Sequence, residues 1–306
     1  MDRLKEIELF VQVAEMGSLS LASEKLGISN AAGSRFLQAL ESRLNVRLVE
    51  RTTRRLWLTD AGREYHQRCT AILSELDDAD AEATELASNP KGTLRMTSSV
   101  SFAIMHVAPG LAEFRKRFPL LTVKIMASNR YQDFIEAGVD IAIRTREFEV
   151  DSSITVRKLA ETRRILAASP GYLAARGRPL SPDQIAGHDL LIYNLANDPH
   201  VLNFRQGHAR QSVRVTGIMD SNEGQVIRAA ALEGAGVLAQ PLYVIYDDIV
   251  AGRLVPVLTD WELPRLSINM AYQSRRHQPA KIRAFTQFLI ERFEQLGLER
   301  KWNAVF

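Results

Sequence analysis

Residues 29 to 55 combine small, hydrogen-bonding and basic side chains in a pattern that suits contact with DNA. A helix predicted to begin at Ser29 would present one polar face to a major groove and its phosphates, formed by Ser29, Asn30, Gly33, Ser34, Arg35 and Gln38. Three arginines that follow can enter a minor groove or neutralise phosphates: Arg51, Arg54 and Arg55. A run of arginines alone is usually a solvated surface, so the DNA interpretation depends on the elements that carry them.

Those elements are predicted to form a winged helix-turn-helix over residues 18 to 59. Ser18 is a good N-cap for a short helix, and Gly27 suits the left-handed position that ends it. The second helix has an apolar stripe of three leucines: Leu37, Leu40 and Leu44. Residues 48–49 and 56–58 predict two short strands joined by the basic turn. Phe36 either touches a thymine methyl group or packs on the wing.

Residues 60 to 88 predict one long helix, because they contain no proline and a single glycine. Apolar positions recur every seven residues in two interleaved sets: Tyr65, Ile72, Ala79 and Leu86, with Cys69, Leu76 and Ala83. This seam favours a helix pair and a dimer, and a helix packed on its own domain is the alternative. Helix-turn-helix modules usually read two half-sites, which also favours the dimer. Cys69 is expected to be a small core residue rather than a redox sensor.

Beyond a breaker cluster at residues 89–92, predicted strands and helices alternate in the pattern of an α/β fold. They include one helix over residues 102–118 and one strand over residues 213–218. Ligands of such folds bind beyond the carboxyl ends of strands. The candidate effector-binding residues at these ends are Ser98, Ser99, Ser101, Phe102, Ser128, Arg144, Arg146, Tyr193, Asn194, Asn222 and Gln240. Close to them in the sequence are Asn129, Asp220 and Ser221.

The chemistry of these candidates favours an anionic ligand. The serines and free N–H groups of residues 98–101 suit a carboxylate, or one serine simply caps the helix that follows. Arg144 or Arg146 either binds a carboxylate through two parallel hydrogen bonds or forms a surface ion pair with Glu147 or Glu149. We therefore hypothesise an effector that carries a carboxylate.

The composition limits the other functions. The 306 residues have a net charge of only +3, so DNA binding must come from local charge. A single cysteine argues against a disulfide framework and suits a reducing cytoplasm, where we expect the protein. The N-terminus lacks the apolar core of a signal peptide, and no apolar run approaches the roughly 20 residues that span a membrane, so no membrane partner is expected. Without an H-E-x-x-H, C-x-x-C or Walker A motif, we predict no cofactor, no metal site and no enzyme.

The N-terminal motifs resemble those of LysR-type transcriptional regulators. The matching residues are Phe10, Ser18, Ala22, Leu26, Ser29, Ser34, Leu40, Glu41, Leu44, Leu48, Glu50, Arg51, Thr52, Leu58, Thr59, Ala61 and Gly62. Gly33 replaces the Val-like residue usual in the family and is expected to loosen the second helix by about 1 kcal/mol. Val49 replaces the usual Phe. A weaker resemblance continues in segments such as residues 138–144 and 233–236.

The resemblance implies an α/β protein of three parts. These are a winged helix-turn-helix DNA-binding domain at residues 1–59, a linker and dimerisation helix at 60–88, and an effector-binding domain at 89–306. The last would resemble periplasmic binding proteins, with lobe I at about 92–161 plus 268–306 and lobe II at about 162–267. The implied partners are double-stranded promoter DNA, a small-molecule effector, further copies in a homodimer or homotetramer, and RNA polymerase.

Two other interpretations compete with this one. The chain is either a cytoplasmic small-molecule-binding protein or enzyme of the same α/β fold, or a DNA-binding protein without an effector. A steep dependence of DNA affinity on salt separates the first from a regulator, because phosphate contacts release counterions. A ligand-induced rise in melting temperature argues against the second.

Overall fold

The chain folds into two compact units, which we describe separately. In this computed structural model the described residues are 2–51, 56–83, 90–130, 138–146, 154–273 and 278–304. The first unit contains residues 1–88 together with 132–139, and the second contains residues 89–131 together with 140–306.

Helices dominate the described part of the first unit. Its elements in chain order are α1 (Arg3–Met16), α2 (Leu19–Lys25), α3 (Asn30–Leu44), β1 (Val49–Arg51), β2 (Leu56–Leu58) and α4 (Asp60–Ala83). Ser18 and Ser29 cap α2 and α3 as predicted, because their hydroxyls accept backbone N–H groups of the first turn at 3.3 and 3.2 Å. Strands β1 and β2 pair antiparallel, with Val49 opposite Leu58.

The core of the first unit draws apolar side chains from all four helices and from the start of the hairpin. These are Ile7, Leu9, Phe10, Val11, Val13, Ala22, Leu37, Leu40, Leu48, Val49 and Cys69. Leu37 and Leu40 of the predicted stripe are buried, and Leu44 packs at its edge. This burial leaves the opposite face of α3 toward solvent.

Strands and helices alternate through the second unit. Its strands are β3 (Gly92–Ser98), β4 (Leu121–Ala127), β5 (Ile141–Arg146), β6 (Ile154–Thr162), β7 (Arg164–Ala168), β8 (Leu190–Tyr193), β9 (Val201–Gln206), β10 (Ala209–Arg214), β11 (Gly217–Ser221), β12 (Val237–Pro241), β13 (Val255–Val257) and β14 (Leu266–Gln273). Its α-helices are α5 (Val100–Phe102), α6 (Leu111–Arg117), α7 (Pro170–Arg176), α8 (Gly224–Leu232), α9 (Leu242–Val250), α10 (Ala280–Leu296) and α11 (Leu298–Asn303).

Two five-stranded sheets organise this unit. The strand order is β4-β3-β5-β14-β6 in the first and β11-β8-β12-β7-β13 in the second, and β9 and β10 form a separate hairpin. The chain passes from the first sheet to the second between β6 and β7, and returns between β13 and β14. Strands β3, β4 and β5 run parallel, as do β8, β11 and β12. Their carboxyl ends therefore meet at one edge of each sheet.

Two sequence predictions in this unit are wrong. Residues 213–218, predicted as one strand, are divided between two strands. Strand β10 ends at Arg214, and β11 begins at Gly217 in a different sheet. The helix predicted over residues 102–118 is interrupted. A π-helical turn, Ala103–Val107, and a 3-10 turn, Ala108–Gly110, separate α5 from α6. Pro109 in that 3-10 turn has no N–H to donate and so cannot continue an α-helical hydrogen-bond ladder.

Buried ion pairs join helices to the rest of the second unit. Lys281 at the start of α10 contacts Asp140 at 3.0 Å, and the same carboxylate accepts the backbone N–H of Arg95 at 2.7 Å. Asp248 of α9 is fully buried and accepts hydrogen bonds from Arg228 of α8 at 2.8 Å and from Arg253 at 2.7 Å. Burial acts to raise the pKa of Asp248, but the hydrogen bonds and charges of the two arginines lower it below its ordinary value.

We predict that Asp248→Asn lowers the free energy of unfolding of the second unit by about 3 kcal/mol at pH 7, because two arginines lose a buried anion. A carboxyl whose pKa is depressed in the folded state stabilises the fold above its ordinary pKa. That stabilisation disappears as the pH falls through the folded-state pKa. The difference between wild type and variant should therefore shrink on acidification below about pH 4.

Urea unfolding from pH 7 to pH 3 measures this difference. Glu291→Gln is the control, because Glu291 pairs with Arg117 at a partly exposed site of the same unit and its loss should cost much less. An Asp248→Asn effect as small as that of Glu291→Gln at pH 7 would contradict the prediction.

Candidate nucleic-acid interface and ligand cleft

One face of α3 carries polar side chains that reach solvent. Ser29 is exposed at the N-cap, and Asn30, Arg35 and Gln38 are exposed on the helix itself. Ser34, on the same side, is half-buried. These donors and acceptors have the chemistry that base edges and phosphates require, and the helix is fixed beneath them by its buried leucines.

Gly33 does not belong to this face. It is buried where α3 crosses α2, and a Cβ at this position would overlap the hydroxyl of the fully buried Ser23. Our prediction that Gly33 is exposed is therefore wrong, because the absent side chain lets two helices approach closely. Phe36 is half-buried and packs against the core of this unit.

Side chains of α3 hold the first strand of the hairpin and the first helix. The Glu41 carboxylate accepts the backbone N–H groups of Leu48 at 2.8 Å and Val49 at 3.0 Å. Arg43 reaches the buried Glu6 of α1 at 3.5 Å. The start of β1 and the body of α1 are thus both tied to the helix that presents the polar face.

The hairpin is also fixed from its other end. The Thr59 hydroxyl donates to the carbonyl of Arg47 at 2.8 Å and accepts the N–H of Gly62 at 2.9 Å. Gly62 is packed so tightly that a Cβ there would overlap the carbonyl oxygen of Leu48. The backbone of Arg51 lies in β1, whereas its side chain, like the predicted wing residues Arg54 and Arg55, lies outside the described residues.

Helix α4 uses its apolar positions in two ways. Tyr65 and Leu73 pack against the core of the first unit, and Cys69 is buried in it. Burial raises the pKa of the Cys69 thiol above its ordinary value. Ile72 and Leu76 lie 54% and 40% exposed. Of the heptad seam, Ala79 and Ala83 have side chains outside the described residues, and Leu86 lies outside them altogether.

The second unit contains a cleft of about 260 Å³ where the two sheets face each other. Seven of the eleven candidate effector residues line it: Ser99, Ser101, Ser128, Arg144, Arg146, Tyr193 and Gln240. They meet because parallel strands end at a common edge. For example, the N–H of Ser128 after β4 donates to the carbonyl of Ser98 at the end of β3, at 2.9 Å.

Four candidates do not line the cleft. Ser98 is fully buried, and Phe102 is buried in an aromatic cluster with Tyr243 and Phe293. The remaining two are exposed: Asn194, which donates to Asp220 at 2.8 Å, and Asn222, whose carbonyl accepts a hydrogen bond from Asn129 at 2.7 Å. The expectation that these four line the cleft is not met, because one residue of displacement along a strand or helix turns a side chain away from it.

The serine cluster does not cap the helix that follows it. Ser99 occupies the N-cap position of α5 without a capping hydrogen bond from its side chain. The N–H of Val100 donates instead to the amide oxygen of Asn129 at 3.0 Å. The simple capping interpretation of Ser99 is therefore wrong, and Ser99 is one of the residues that line the cleft.

Arg144 is held within its own lobe. Its guanidinium donates to the Thr97 hydroxyl at 3.0 Å and to the Ile143 carbonyl at 3.1 Å. Arg146 and Arg164 also line the cleft. The proposed partners Glu147 and Glu149 lie outside the described residues.

Two tyrosines keep their hydroxyl protons in this cleft. Burial, together with the neighbouring Tyr243 and Glu223, raises the pKa of Tyr193 to about 12. Burial also raises the pKa of Tyr243, which accepts a hydrogen bond from Thr145 at 3.4 Å. Both phenols are therefore neutral hydrogen-bonding groups at physiological pH.

Sequence reasoning named Asn129 at the end of a strand but missed Glu223, its partner in the other lobe. Asn129 donates to the carboxylate of Glu223 at 2.6 Å, and the Ser101 hydroxyl donates to the same carboxylate at 3.4 Å. Glu223 lies at the N-cap of α8, where it also accepts the N–H of Gln225 at 2.9 Å. The position of Glu223 just before a predicted helix could have indicated an N-cap. Its hydrogen bond to Asn129 of the other lobe could not be predicted from the sequence.

Among the described residues, no cluster of three or more His, Cys, Asp or Glu side chains has the arrangement of a metal site. In the same part of the chain, no helix has the length and apolar character needed to cross a membrane.

Comparison with known proteins identifies the two units. A family model described as "Bacterial regulatory helix-turn-helix protein, lysR family" matches residues 4–63, and one described as "LysR substrate binding domain" matches residues 87–294. The chain belongs to the LysR family of transcriptional regulators. The predicted fold class and function are thereby confirmed, and the interpretation as an enzyme is not favoured.

Individual members of the LysR family resemble the chain over most of its length. The regulator CrgA of Neisseria meningitidis serogroup C is 33% identical over 293 residues, covering 94% of this chain and 96% of CrgA. PtxR of Pseudomonas aeruginosa is 33% identical over 288 residues, covering 94% and 92%. Both are named as HTH-type transcriptional regulators.

Solved structures of LysR-type proteins show the same fold. The structure of CrgA matches with a TM-score of 0.62 at 32% identity, covering 94% of this chain and 98% of CrgA. The full-length structure of the Vibrio cholerae virulence activator AphB matches with a TM-score of 0.61 at 29% identity, covering 94% and 99%.

We predict that Gly62→Ala weakens DNA binding at least about tenfold and lowers the stability of the first unit by about 2 kcal/mol. The added methyl group would force the Leu48 carbonyl, and with it β1, away from α4. Thermal unfolding and titration of labelled DNA measure the two effects.

The matched control is Gly171→Ala, because a Cβ at Gly171 meets no atom within 4 Å. It should leave both properties unchanged. Wild-type stability and affinity in Gly62→Ala would refute the role of this close contact.

Proposed function

We propose that this LysR-type regulator reads a near-palindromic promoter site by placing α3 of each of two copies in the major groove. The observation that carries the proposal is the exposed polar face of α3, with Arg35 and Gln38 above a buried leucine stripe. Arginine pairs well with guanine and glutamine with adenine in that groove. Three further residues of the face would contact bases or phosphates: Ser29, Asn30 and Ser34.

The β1–β2 hairpin would serve as the wing. Its arginines Arg51, Arg54 and Arg55 are proposed to contact the minor groove or phosphates. The proposal is supported by the hydrogen bonds of Glu41 and Thr59, which fix the base of the hairpin to α3 and α4. A hairpin held at its base can present basic side chains at a constant distance from the recognition helix.

Helix α4 would supply the contact between copies. Ile72 and Leu76 lie one helical turn apart and are both exposed, whereas the neighbouring Cys69 is buried in its own unit. Members of the LysR family form oligomers, and an apolar helix face of this kind gains stability when a second copy covers it. We propose a homodimer as the DNA-reading species, with a homotetramer as its further assembly.

The cleft of the second unit would bind the effector. Three arginines and the hydroxyls of Ser99 and Ser128 make its polar wall suitable for an anion, and we propose a carboxylate. Binding between two lobes changes the balance between their arrangements, and coupling of this kind is typically worth 1–3 kcal/mol. Effector binding would thereby change the spacing of the two DNA-binding units.

The domain limits also remain a proposal. We infer a DNA-binding domain at residues 1–59, a linker helix at 60–88 and an effector domain at 89–306. Support comes from the strand composition of the two sheets, which divides the second unit near residues 163 and 265. RNA polymerase remains a predicted partner at the promoter.

We predict that Arg35→Ala and Gln38→Ala each weaken binding to the native site by about 1–3 kcal/mol, because each loses contacts to base edges. The experiment is a nuclease footprint on DNA flanking the gene, followed by affinity measurements at two salt concentrations. Protection of two patches about one or more helical turns apart, weakening with salt, is the expected wild-type result.

Arg68→Ala is the control, because it removes an exposed arginine from α4 without touching α3. Equal loss of affinity in Arg68→Ala and Arg35→Ala would show that only general positive charge matters. Unchanged DNA affinity in both α3 variants would contradict the proposal that this face of α3 contacts the bases.

We predict that the double variant Ile72→Glu/Leu76→Glu dissociates the oligomer, because charges would replace the apolar face of α4 in the contact. Sedimentation velocity should show a smaller species, and DNA affinity should fall with it. Leu180→Glu alters a leucine that is 79% exposed in the other unit and should change neither property. An unchanged oligomer in the α4 variant would place the contact elsewhere.

A further inference from the structure

The β9–β10 hairpin carries a cationic face on its outer side. Leu202, Phe204 and Val213 of the hairpin are buried, so the alternation along each strand directs the intervening residues outward. Those outer residues are all exposed, and they are Asn203, Arg205, Arg210, Ser212 and Arg214. Residues 201–214 contain no Asp or Glu, so the hairpin itself supplies no negative charge to this face.

Two arginines of this face lie directly opposite each other. Arg205 of β9 pairs with Arg210 of β10 in the register of the hairpin. Side chains at such positions begin about 5 Å apart, and like charges there are destabilising. Arg205 has a compensating hydrogen bond to the Glu262 carboxylate at 2.6 Å, whereas Arg210 forms no ion pair with another described residue.

Arg205 ends a chain of alternating charges. Glu161 of β6 contacts Lys158 at 3.0 Å and Arg265 at 3.1 Å. Arg265 also contacts Glu262 at 3.4 Å, and Glu262 contacts Arg205. The alternation stops at Arg205, because its cross-strand neighbour is another cation. An anion bound between the two arginines would continue it.

A depression of about 530 Å³ lies beside the arginine pair. The charged residues of its lining are Arg205, Arg210, Arg265 and Glu262. The hydrogen bond from Arg205, with a further one from Arg265, holds the pKa of Glu262 below its ordinary value. Even when Lys158 and Glu161 are included, four cations stand against two carboxylates. The depression therefore keeps an excess of positive charge.

The floor of the depression is well fixed. Arg205 and Glu262 exchange two backbone hydrogen bonds of 2.8 Å, and the adjacent Leu263 is buried. Trp261 packs edge-on against Phe204 of the hairpin, with ring centroids 6.4 Å apart. Ligand binding would therefore order few groups besides the exposed arginine side chains, which favours affinity.

We propose that this depression is a second ligand site, which binds the phosphate group of a small molecule between Arg205 and Arg210. It shares no lining residue with the cleft. Two guanidinium groups offer more N–H donors than the two oxygens of one carboxylate can satisfy, whereas a phosphate monoester has three acceptor oxygens and a charge near −2. The volume lies within the usual range for small-molecule sites.

Calorimetric titration of the full-length protein tests the site, with inorganic phosphate and glycerol 3-phosphate as probes at constant ionic strength. Wild type should bind at least one probe with a dissociation constant in the millimolar range or below. Tighter binding of the ester would assign the site to a phosphorylated molecule, and equal affinities would assign it to free phosphate.

Arg210→Gln should weaken phosphate binding at least about tenfold, because one of the two guanidinium groups is lost. Its melting temperature should be no lower than that of wild type, since the substitution removes the like charge opposite Arg205. Unchanged phosphate affinity in Arg210→Gln would overturn the proposal, as would the absence of binding of either probe to wild type at millimolar concentrations.

Arg214→Gln is the matched control. Arg214 is an exposed arginine on the same face of β10, and it does not line the depression. This variant should bind both probes as wild type does. Equal weakening in Arg214→Gln and Arg210→Gln would show that only general positive charge attracts the probes, and the proposed site would be rejected.

Promoter DNA separates this site from a DNA contact, because DNA also presents phosphate groups. A small-molecule site predicts that Arg210→Gln leaves both the affinity for promoter DNA and its salt dependence unchanged. Weaker DNA binding with a smaller salt dependence would assign Arg210 to the DNA backbone and overturn the proposal. The proposed roles of α3 and of the cleft do not depend on this result, because Arg210 belongs to neither.

Discussion

The hydrogen bond between Asn129 and Glu223 is the interaction on which the cleft depends. Asn129 follows β4 in one sheet and Glu223 follows β11 in the other, so this bond joins the two lobes, and the Ser101 hydroxyl donates to the same carboxylate. Asn129 also accepts the N–H of Val100, which frees Ser99 from capping its helix. The orientation of the serine edge and the spacing of the lobes therefore have a common origin.

The DNA-binding unit uses polar side chains in a comparable way. Glu41 and Thr59 bind backbone groups at the base of the hairpin. Gly62 permits this approach because it has no side chain. The residues of the recognition motif thus divide into those that present a surface, such as Arg35, and those that hold it in place.

Sequence reasoning placed a residue correctly where its own helix or strand determined the position of the side chain. The capping serines, the leucine stripe and the strand ends that carry Ser99, Ser128 and Gln240 all follow from local periodicity and strand direction. It failed where the packing of a neighbouring element determined whether the residue is buried. Gly33 looked exposed on a helical wheel, yet α2 covers it, and Phe102 looked like a cleft residue, yet Tyr243 and Phe293 enclose it.

The sequence alone determined the presence of a helix-turn-helix, the alternation of strands and helices that follows it and the edge of the sheets at which a cleft would form. These depend on residue types at short spacing, which the chain carries locally. Only the tertiary structure decided that Glu223 binds Asn129 of the other lobe, because the two residues are 94 positions apart. A contact between distant positions leaves no period or motif in the sequence, and it exists only once both sheets have folded.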